Sequence, residues 1–459
     1  MKLSLSKRIA VLAFLLALSF AVRVLTANFL RAHFNDPAWF QFGSYAVFDR
    51  QAQAVLDGRQ SLFWISDSSR TDLIVYPPGN VAFISAIYGM TRQRSPLSVQ
   101  SVQLVLDALS VLLIVGIGTT AYRWSVGITA GVLAALSPLL AFAGITPGVD
   151  APTSWLVLAA LWCLLLTAKH RTKTHAIATG VLLGLACWMR VNPLFLFVPW
   201  AALLFLIIKS PRRERSILSA SLVLTTLVVI SPIVVRNLVV FYPQVAPTGL
   251  SVGWNLLAGI GETERGAEFG APCCDDQMIA QDRQAMNLSP EAPLELHYPD
   301  GIRRDRDRAS RALAIIESHP FWFAGVMGRR IWGHLKFAGR PAPHVGTTGI
   351  NVTSDKCLSE NYQQGLLALT VNILGMIQSV FRFVALPLMI FGVCFAFRAN
   401  RVSTLLLLST IVYYLATLAV GHSEIRYGLP MQATLIVFAA VALCSLPRLV
   451  ERFSARLAT

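Results

Sequence analysis

The sequence predicts an all-α polytopic membrane protein, and three observations carry that prediction. Of 459 residues, 55% are hydrophobic and only 14% are charged, whereas soluble domains carry roughly a quarter charged residues. Mean hydropathy is +0.58. Apolar stretches long enough to cross ~30 Å of hydrocarbon recur along the whole chain. This composition excludes a disordered chain and a water-soluble protein. The formal net charge is +15, from 39 Lys and Arg against 24 Asp and Glu. In a soluble protein that excess would suggest nucleic acid. In a membrane protein it marks cytoplasmic loops, so no nucleic-acid partner is expected.

About ten transmembrane helices are predicted, near 9–30, 99–121, 126–145, 152–168, 175–191, 193–208, 217–235, 380–397, 402–420 and 429–447. The first follows Lys7-Arg8 and has no small-residue cleavage site before the polar stretch, which reads as an uncleaved anchor. The run 81–90 is too short to span, and is expected to lie at or dip into the outer surface. Charge placement supports that count. With the N-terminus inside, segments 1–8, 122–125, 169–174, 209–215, 398–401 and 448–459 are cytoplasmic and hold 16 Lys and Arg. The short outer loops hold Arg190 and Arg426 alone. Counting 81–90 as a span would move the three middle basic loops outside, against the positive-inside rule. Both termini are therefore expected in the cytoplasm, and the location expected is a bacterial inner membrane.

Two large outer (periplasmic) loops follow. Residues 1–241 form an N-terminal transmembrane module that includes outer loop 31–98. Residues 242–364 form the second loop, expected to be a small mixed domain, and 365–459 carry the C-terminal transmembrane helices. Within the second loop, 305–318 has helical spacing of Ala312, Leu313, Ile315 and Ile316. The stretch 321–338 mixes Phe321, Trp322, Phe323, Ile331 and Trp332 with Arg329, Arg330 and Lys336. That composition suits a helix lying in the membrane interface, or equally one packed on its own loop domain. Cys273, Cys274 and Cys357 share this loop, where a disulfide from Cys357 to one of the adjacent pair fits an oxidising compartment. There is no CxxC, Walker or Rossmann pattern.

The ionisable residues fall at one membrane face. Asp36 and Asp49 lie in the first outer loop, and Asp150 stands where the third span hands over to the fourth. Arg190 ends the fifth span, Arg236-Asn237 ends the seventh, and His422, Glu424 and Arg426 lie between the ninth and tenth. Arginine forks hold phosphate through paired hydrogen bonds, and a carboxylate can take a proton from an attacking hydroxyl. Each residue also has a structural alternative: interfacial arginines anchor by snorkelling, and Asp beside Pro turns or caps a helix. Arg23 and Asp107 lie inside spans, where charges are costly unless paired.

These residues, taken in order, resemble a family. Ala52 to Gly58 matches an Ala-x5-Gly helix, followed by the turn Tyr76-Pro77-Pro78-Gly79 and by Ser137-Pro138 with Asp150 before the next span. Gly184 to Arg190 matches a Gly-Leu-x-x-x-x-Arg segment. Arg236-Asn237 precedes Gly253-x-Asn255-Leu256-Leu257-x-Gly259, and the tail Arg426-Tyr427-Gly428-Leu429-Pro430 matches Arg-Tyr-x-x-Pro. The chain resembles membrane glycosyltransferases of the C superfamily, in the branch of protein O-mannosyltransferases and the lipid A aminoarabinose transferase. The resemblance implies inverting transfer of a sugar from a polyprenyl-phosphate donor to a lipid, glycan or protein acceptor at the outer membrane face. It implies a first-loop carboxylate as general base. Counting back from Ala52, the family's Tyr falls on Phe48 and its Asp near Gly43-Ser44-Tyr45, so Asp49 and Asp36 both stand as candidates. Arg190, Arg236 and Arg426 are candidates for the donor phosphate, with Tyr76 in the place of a phosphate-meeting Lys or His. Asp150, with His422 or Glu424, is a candidate second acidic group or divalent-metal site. Two other classes stay open: a transporter or flippase of a lipid-linked sugar, and a catalytically inactive scaffold for envelope assembly. Transport favours polar groups near the midplane, whereas here they gather at one face.

Overall fold

The computed structural model describes residues 4–30, 44–62, 76–243, 249–297, 300–335, 384–422 and 424–457. Asp36 and Cys357 lie outside the described residues. Helix α1 (Leu5–Leu30) leads to α2 (Ser44–Leu56), α3 (Gly79–Thr91) and α4 (Pro96–Ala121). Ser95 caps α4 through the Ser98 amide, with Pro96 in the first helical position. The expected span 126–145 is a broken helix. Its halves, α5 (Trp124–Leu136) and α6 (Pro138–Ile145), meet at 64°. Pro138 has no N–H for the carbonyl four residues back, and Ser137 caps the new helix by accepting from Leu140 N.

Helix α7 (Asp150–His170) then crosses the bundle and α8 (Lys173–Met189) returns. After α9 (Phe197–Ile207), the long α10 (Arg212–Val240) crosses again. The chain then leaves the bundle as four helices, α11 (Val252–Gly261), α12 (Asp275–Ala285), α13 (Gly301–Ser318) and α14 (Pro320–Leu335). It re-enters as α15 (Val384–Ala399), α16 (Arg401–Val420), a 3-10 turn (Ile425–Gly428) and α17 (Leu429–Leu457).

Among the described residues, six helices are long and apolar enough to cross a membrane, seven counting the bent pair. The expected spans 175–191, 193–208 and 380–397 are the shorter helices α8, α9 and α15. One hydrophobic core joins α1, α4 to α10 and α15 to α17. The described residues of 249–335 are helical and contain no strand, so the mixed loop domain expected there is all-α over this range. In α14, Phe323, Val326, Arg330 and His334 face inward while Phe321 and Trp332 stand exposed. Its inner face packs on its own domain through Phe323 and on the transmembrane bundle, where Arg330 Nη1 donates to the Ala419 carbonyl and Gln432 Nε2 to the His334 carbonyl, while aromatic groups stay on the other face. Cys273 and Cys274 are exposed free thiols.

Arg23 and Asp107, the two charges inside spans, are partners at 2.9 Å. Arg23 Nη1 also donates to the Ala135 carbonyl at 2.7 Å, at the end of α5 where the helix breaks.

Candidate functional site

The site grows from the place where α7 begins and α8 ends. Asp150 occupies the first turn of α7, where the helix dipole favours an anion. Because α8 runs antiparallel to α7 and stops at Met189, Arg190 emerges beside it, and its Nη1 donates to Asp150 Oδ1. The 3-10 turn before α17 brings in Arg426, whose Nε lies 3.7 Å from Asp150 Oδ2 and whose Nη2 donates to Glu424 Oε1 at 3.0 Å. The Tyr427 ring lies under both guanidiniums, 3.8 Å from Arg190 Cζ and 5.5 Å from Arg426 Cζ. These are cation–π distances, so the phenol ring spaces two like charges that would otherwise repel.

The alternation of charge continues through His422. Its Nε2 is 3.4 Å from Glu424 and its Nδ1 is 2.5 Å from Glu262. Burial opposes a charged imidazole, but hydrogen bonds and charges from Glu262 and Glu424 outweigh it and lift the pKa to about 9. His422 is therefore a cation at neutral pH. Burial would raise the Glu424 carboxyl, yet Arg426 and His422 hold it well below the usual carboxylate range. The result is a row of alternating ions, Arg190–Asp150–Arg426–Glu424–His422–Glu262. Arg426 is its most exposed member, with 39% of its side chain accessible against 22% for Arg190. Two partly open guanidiniums backed by carboxylates suit an incoming oxyanion.

Sequence motifs explain how this row is held. At Gly79 a Cβ would lie 2.5 Å from the Trp188 carbonyl oxygen, so only glycine lets the Tyr76-Pro77-Pro78-Gly79 turn press on the end of α8. That contact sets Tyr76 near Arg190. Tyr76 bridges two apolar clusters, with its ring 5.0 Å from that of Phe48. Burial, with Asp275 adding to it, raises its phenol pKa against the opposing charges of Arg190 and Arg426. At Gly259 a Cβ would lie 2.6 Å from the Gly421 carbonyl carbon and His422 nitrogen. Close approach there lets His422 N donate to Asn255 O at 2.6 Å, fixing His422 against Glu262. Asp305 caps α11 by accepting from Gly253 N and Trp254 N at 3.2 and 3.0 Å. Arg330 crosses from α14 to the Gly259 and Ala419 carbonyls.

The sequence-predicted residues divide accordingly. Asp150, Arg190, His422, Glu424 and Arg426 come together, with Tyr76 at their edge. Asp49 stands on α2, where it accepts from Tyr88 Oη at 2.5 Å and Gln53 Nε2 at 3.0 Å; Asp150 draws its ion-pair partners from Arg190 and Arg426. Phe48, the residue before Asp49, meets Tyr76, so the two regions share a wall. Arg236 is buried at the end of α10 and donates Nε and Nη2 to Asn237 Oδ1 at 2.8 and 2.6 Å. For a divalent metal the donor set does not fit. His422 turns its two ring nitrogens towards different carboxylates, Asp150 is engaged by two arginines, and no three metal-ligating side chains converge among the described residues. Sequence reasoning missed Glu262 and Tyr427 as site members. Tyr427 lay in plain view inside Arg426-Tyr427-Gly428-Leu429-Pro430; Glu262 follows the Gly253–Gly259 motif by three residues.

Residues 76–236 match the family described as dolichyl-phosphate-mannose-protein mannosyltransferase. That range runs from the Tyr76 turn to Arg236 and includes Asp150 and Arg190, so the resemblance read from the motifs holds there. No curated protein is a sequence match. Among solved structures, the apo oligosaccharyltransferase of Archaeoglobus fulgidus is similar at TM-score 0.52 and 12% identity, covering 96% of this chain and 51% of that one. The archaeal enzyme in complex with an inhibitory peptide and a dolichol-phosphate gives 0.51 and 12%, over 96% and 52%. Its complex with Zn and sulfate gives 0.52 and 12%, over 98% and 51%. At this identity the likeness is one of fold, and the chain spans about half the length of these structures.

Proposed function

We propose that the chain is an integral-membrane glycosyltransferase that moves a sugar from a polyprenyl-phosphate donor to a lipid, glycan or protein acceptor at the outer membrane face. The observation that carries this reading is the open pair of guanidiniums, Arg190 and Arg426, held by Asp150 at one end of the bundle. The family match covers Asp150 and Arg190, and the archaeal structure of the same fold was solved with a dolichol-phosphate.

In this mechanism the acceptor hydroxyl gives its proton to a first-loop carboxylate as its oxygen attacks the anomeric carbon. The bond between that carbon and the phosphate oxygen breaks, and polyprenyl phosphate leaves with the electron pair. One step inverts the anomeric centre. The leaving group gains a negative charge, which preformed cations stabilise most in a water-poor site. Arg190 and Arg426 supply that charge, with Tyr427 holding them apart and Asp150 orienting both. Arg236 is the third candidate for the phosphate, and Asp49 the described candidate for the base, beside Asp36. His422, Glu262 and Glu424 hold Arg426 in place.

The test is transfer of radiolabelled sugar from synthetic polyprenyl phosphate in membranes containing the full chain. Asp49→Asn and Asp36→Asn are compared separately with the wild type. Loss of about a hundredfold or more in one of them identifies the base. Full transfer by both would remove the first loop from the mechanism. Movement of donor lipid across vesicles with no transfer would replace this reading with a flippase.

A further inference from the structure

A cavity of about 330 Å³ opens at the other end of the bundle, between the α7–α8 connection and the start of α10. It lies roughly 30 Å from Asp150, the length of the 21-residue α7. Its volume falls within the range of roughly 300–1,000 Å³ typical of small-molecule sites. Arg171, Lys173 and Arg213 line it, together with one acid, Glu214. Glu214 is occupied locally, accepting from Ser210 Oγ. The three basic side chains make no ion pair among the described residues, in contrast to Arg190 and Arg426 at the opposite end, which are paired with carboxylates. The floor is apolar, formed by Ile217 and Leu218.

We propose that this cavity binds the phosphate headgroup of an anionic membrane lipid. Three points of structure favour a lipid over a soluble phosphate. The cavity lies where α7 ends and α8 and α10 begin, the level at which these helices leave the apolar layer. Its apolar floor suits the first carbons of a tail more than a free ion. Ile177, one turn along α8 from Lys173, is exposed, so an apolar surface continues from the cavity along the bundle. Arg171, Lys173 and Arg213 engage the phosphate oxygens, and the tail follows that surface. Basic pockets between helices recognise lipid headgroups by this combination of charge and apolar wall.

Native mass spectrometry of the full chain in neutral detergent tests the site, with phosphatidylglycerol as probe, phosphatidylcholine as the uncharged comparison and inorganic phosphate as the soluble arm. Phosphatidylglycerol should bind and phosphatidylcholine should not. Each basic side chain near an anionic headgroup is worth about fivefold, so Arg171→Gln with Arg213→Gln should weaken binding about 25-fold. Arg398→Gln with Arg401→Gln removes the same charge at the same end of the bundle, away from the cavity, and should change it less than about twofold. Lys173→Gln, at an exposed helix start, repeats the measurement at about fivefold. Ile217→Trp keeps every charge but fills the cavity, and should cost at least about tenfold. Equal losses in the two double variants, or undiminished binding by Ile217→Trp, would overturn the proposal. So would inorganic phosphate binding as tightly as the lipid, since the ligand would then be a soluble anion.

Discussion

Two arginine–aspartate pairs in this bundle have the same chemistry and different surroundings. Arg23 and Asp107 are enclosed, with side chains 1% and 8% exposed. Asp107 takes Arg23 Nε on one oxygen and Trp155 Nε1, at 2.8 Å, on the other. Arg23 also donates Nη1 and Nη2 to the Ala135 and Ala134 carbonyls, 2.7 and 3.5 Å away, at the break that Pro138 imposes. Every nitrogen of the Arg23 side chain and both oxygens of the Asp107 carboxylate thus have a partner inside the protein. Arg190 and Asp150 lie 22% and 12% exposed, and a second cation, Arg426, shares the same carboxylate. The comparison teaches that it is unspent donor capacity, more than charge or burial, that separates a structural brace from a candidate binding site.

The largest expected effect would break the brace. Arg23→Met strands the Asp107 carboxylate in the core, and we expect a stability loss of about 3–5 kcal/mol in thermal unfolding of the detergent-solubilised protein. Adding Asp107→Leu should restore most of it, because the desolvation cost disappears with the charge. A loss below about 1 kcal/mol in the single variant would deny the pair its structural role. The next effect separates the second pair from the first. Arg190→Gln and Arg426→Gln should each lower sugar transfer about 10²–10³-fold, the usual cost of a lost oxyanion donor. Their unfolding should shift by about 1 kcal/mol, since both side chains are partly solvated. Unchanged transfer with a large stability loss would make the second pair another brace.

The sequence revealed these two regions unequally. Long apolar runs such as 152–168, 217–235 and 402–420 reappear as α7, α10 and α16, because a helix in hydrocarbon must satisfy its own backbone. The broken span was legible only in part. Ser137-Pro138 was noted as a motif, but apolar residues continue on both sides, and a hydropathy pattern carries no bend angle. The same limit applies to 193–208, where the first residues wind into turns around Pro193 and only Phe197–Ile207 is helical. In the site, Asp150, Arg190, His422, Glu424 and Arg426 were readable as polar residues at span ends. Their pairing was not, since Glu262 and His422 are 160 positions apart and only tertiary packing joins them.

A smaller effect sharpens the role of the ion row. The pKa of His422 rises from 6.5 in the free side chain to about 9 in the fold. Its contribution to stability is therefore fully present below about pH 6.5 and is lost as pH rises through about 9. We expect the midpoint of unfolding to fall between pH 7 and 10 by an amount corresponding to about 2–3 kcal/mol. His422→Gln should start lower and stay flat across that window. A wild-type profile that is also flat would mean that Glu262 and Glu424 do not depend on the imidazolium.

The smallest effect concerns a third carboxylate, which resembles neither pair. Asp49 takes its hydrogen bonds from a phenol and an amide, with Tyr45 and Tyr88 hydroxyls 2.8 Å apart behind it. Asp49 is thus held by neutral donors, whereas Asp107 and Asp150 are engaged by arginine. Tyr88→Phe removes one charge-assisted hydrogen bond, so unfolding should weaken by about 1–2 kcal/mol. If Asp49 is the base, its carboxylate loses orientation. Then kcat should fall about fivefold with KM unchanged, because donor and acceptor contacts stay intact. An unchanged kcat in Tyr88→Phe, together with loss of transfer in Asp36→Asn, would move the base to Asp36. Asp49 would then be a polar seam between α2 and α3, a brace built without a cation.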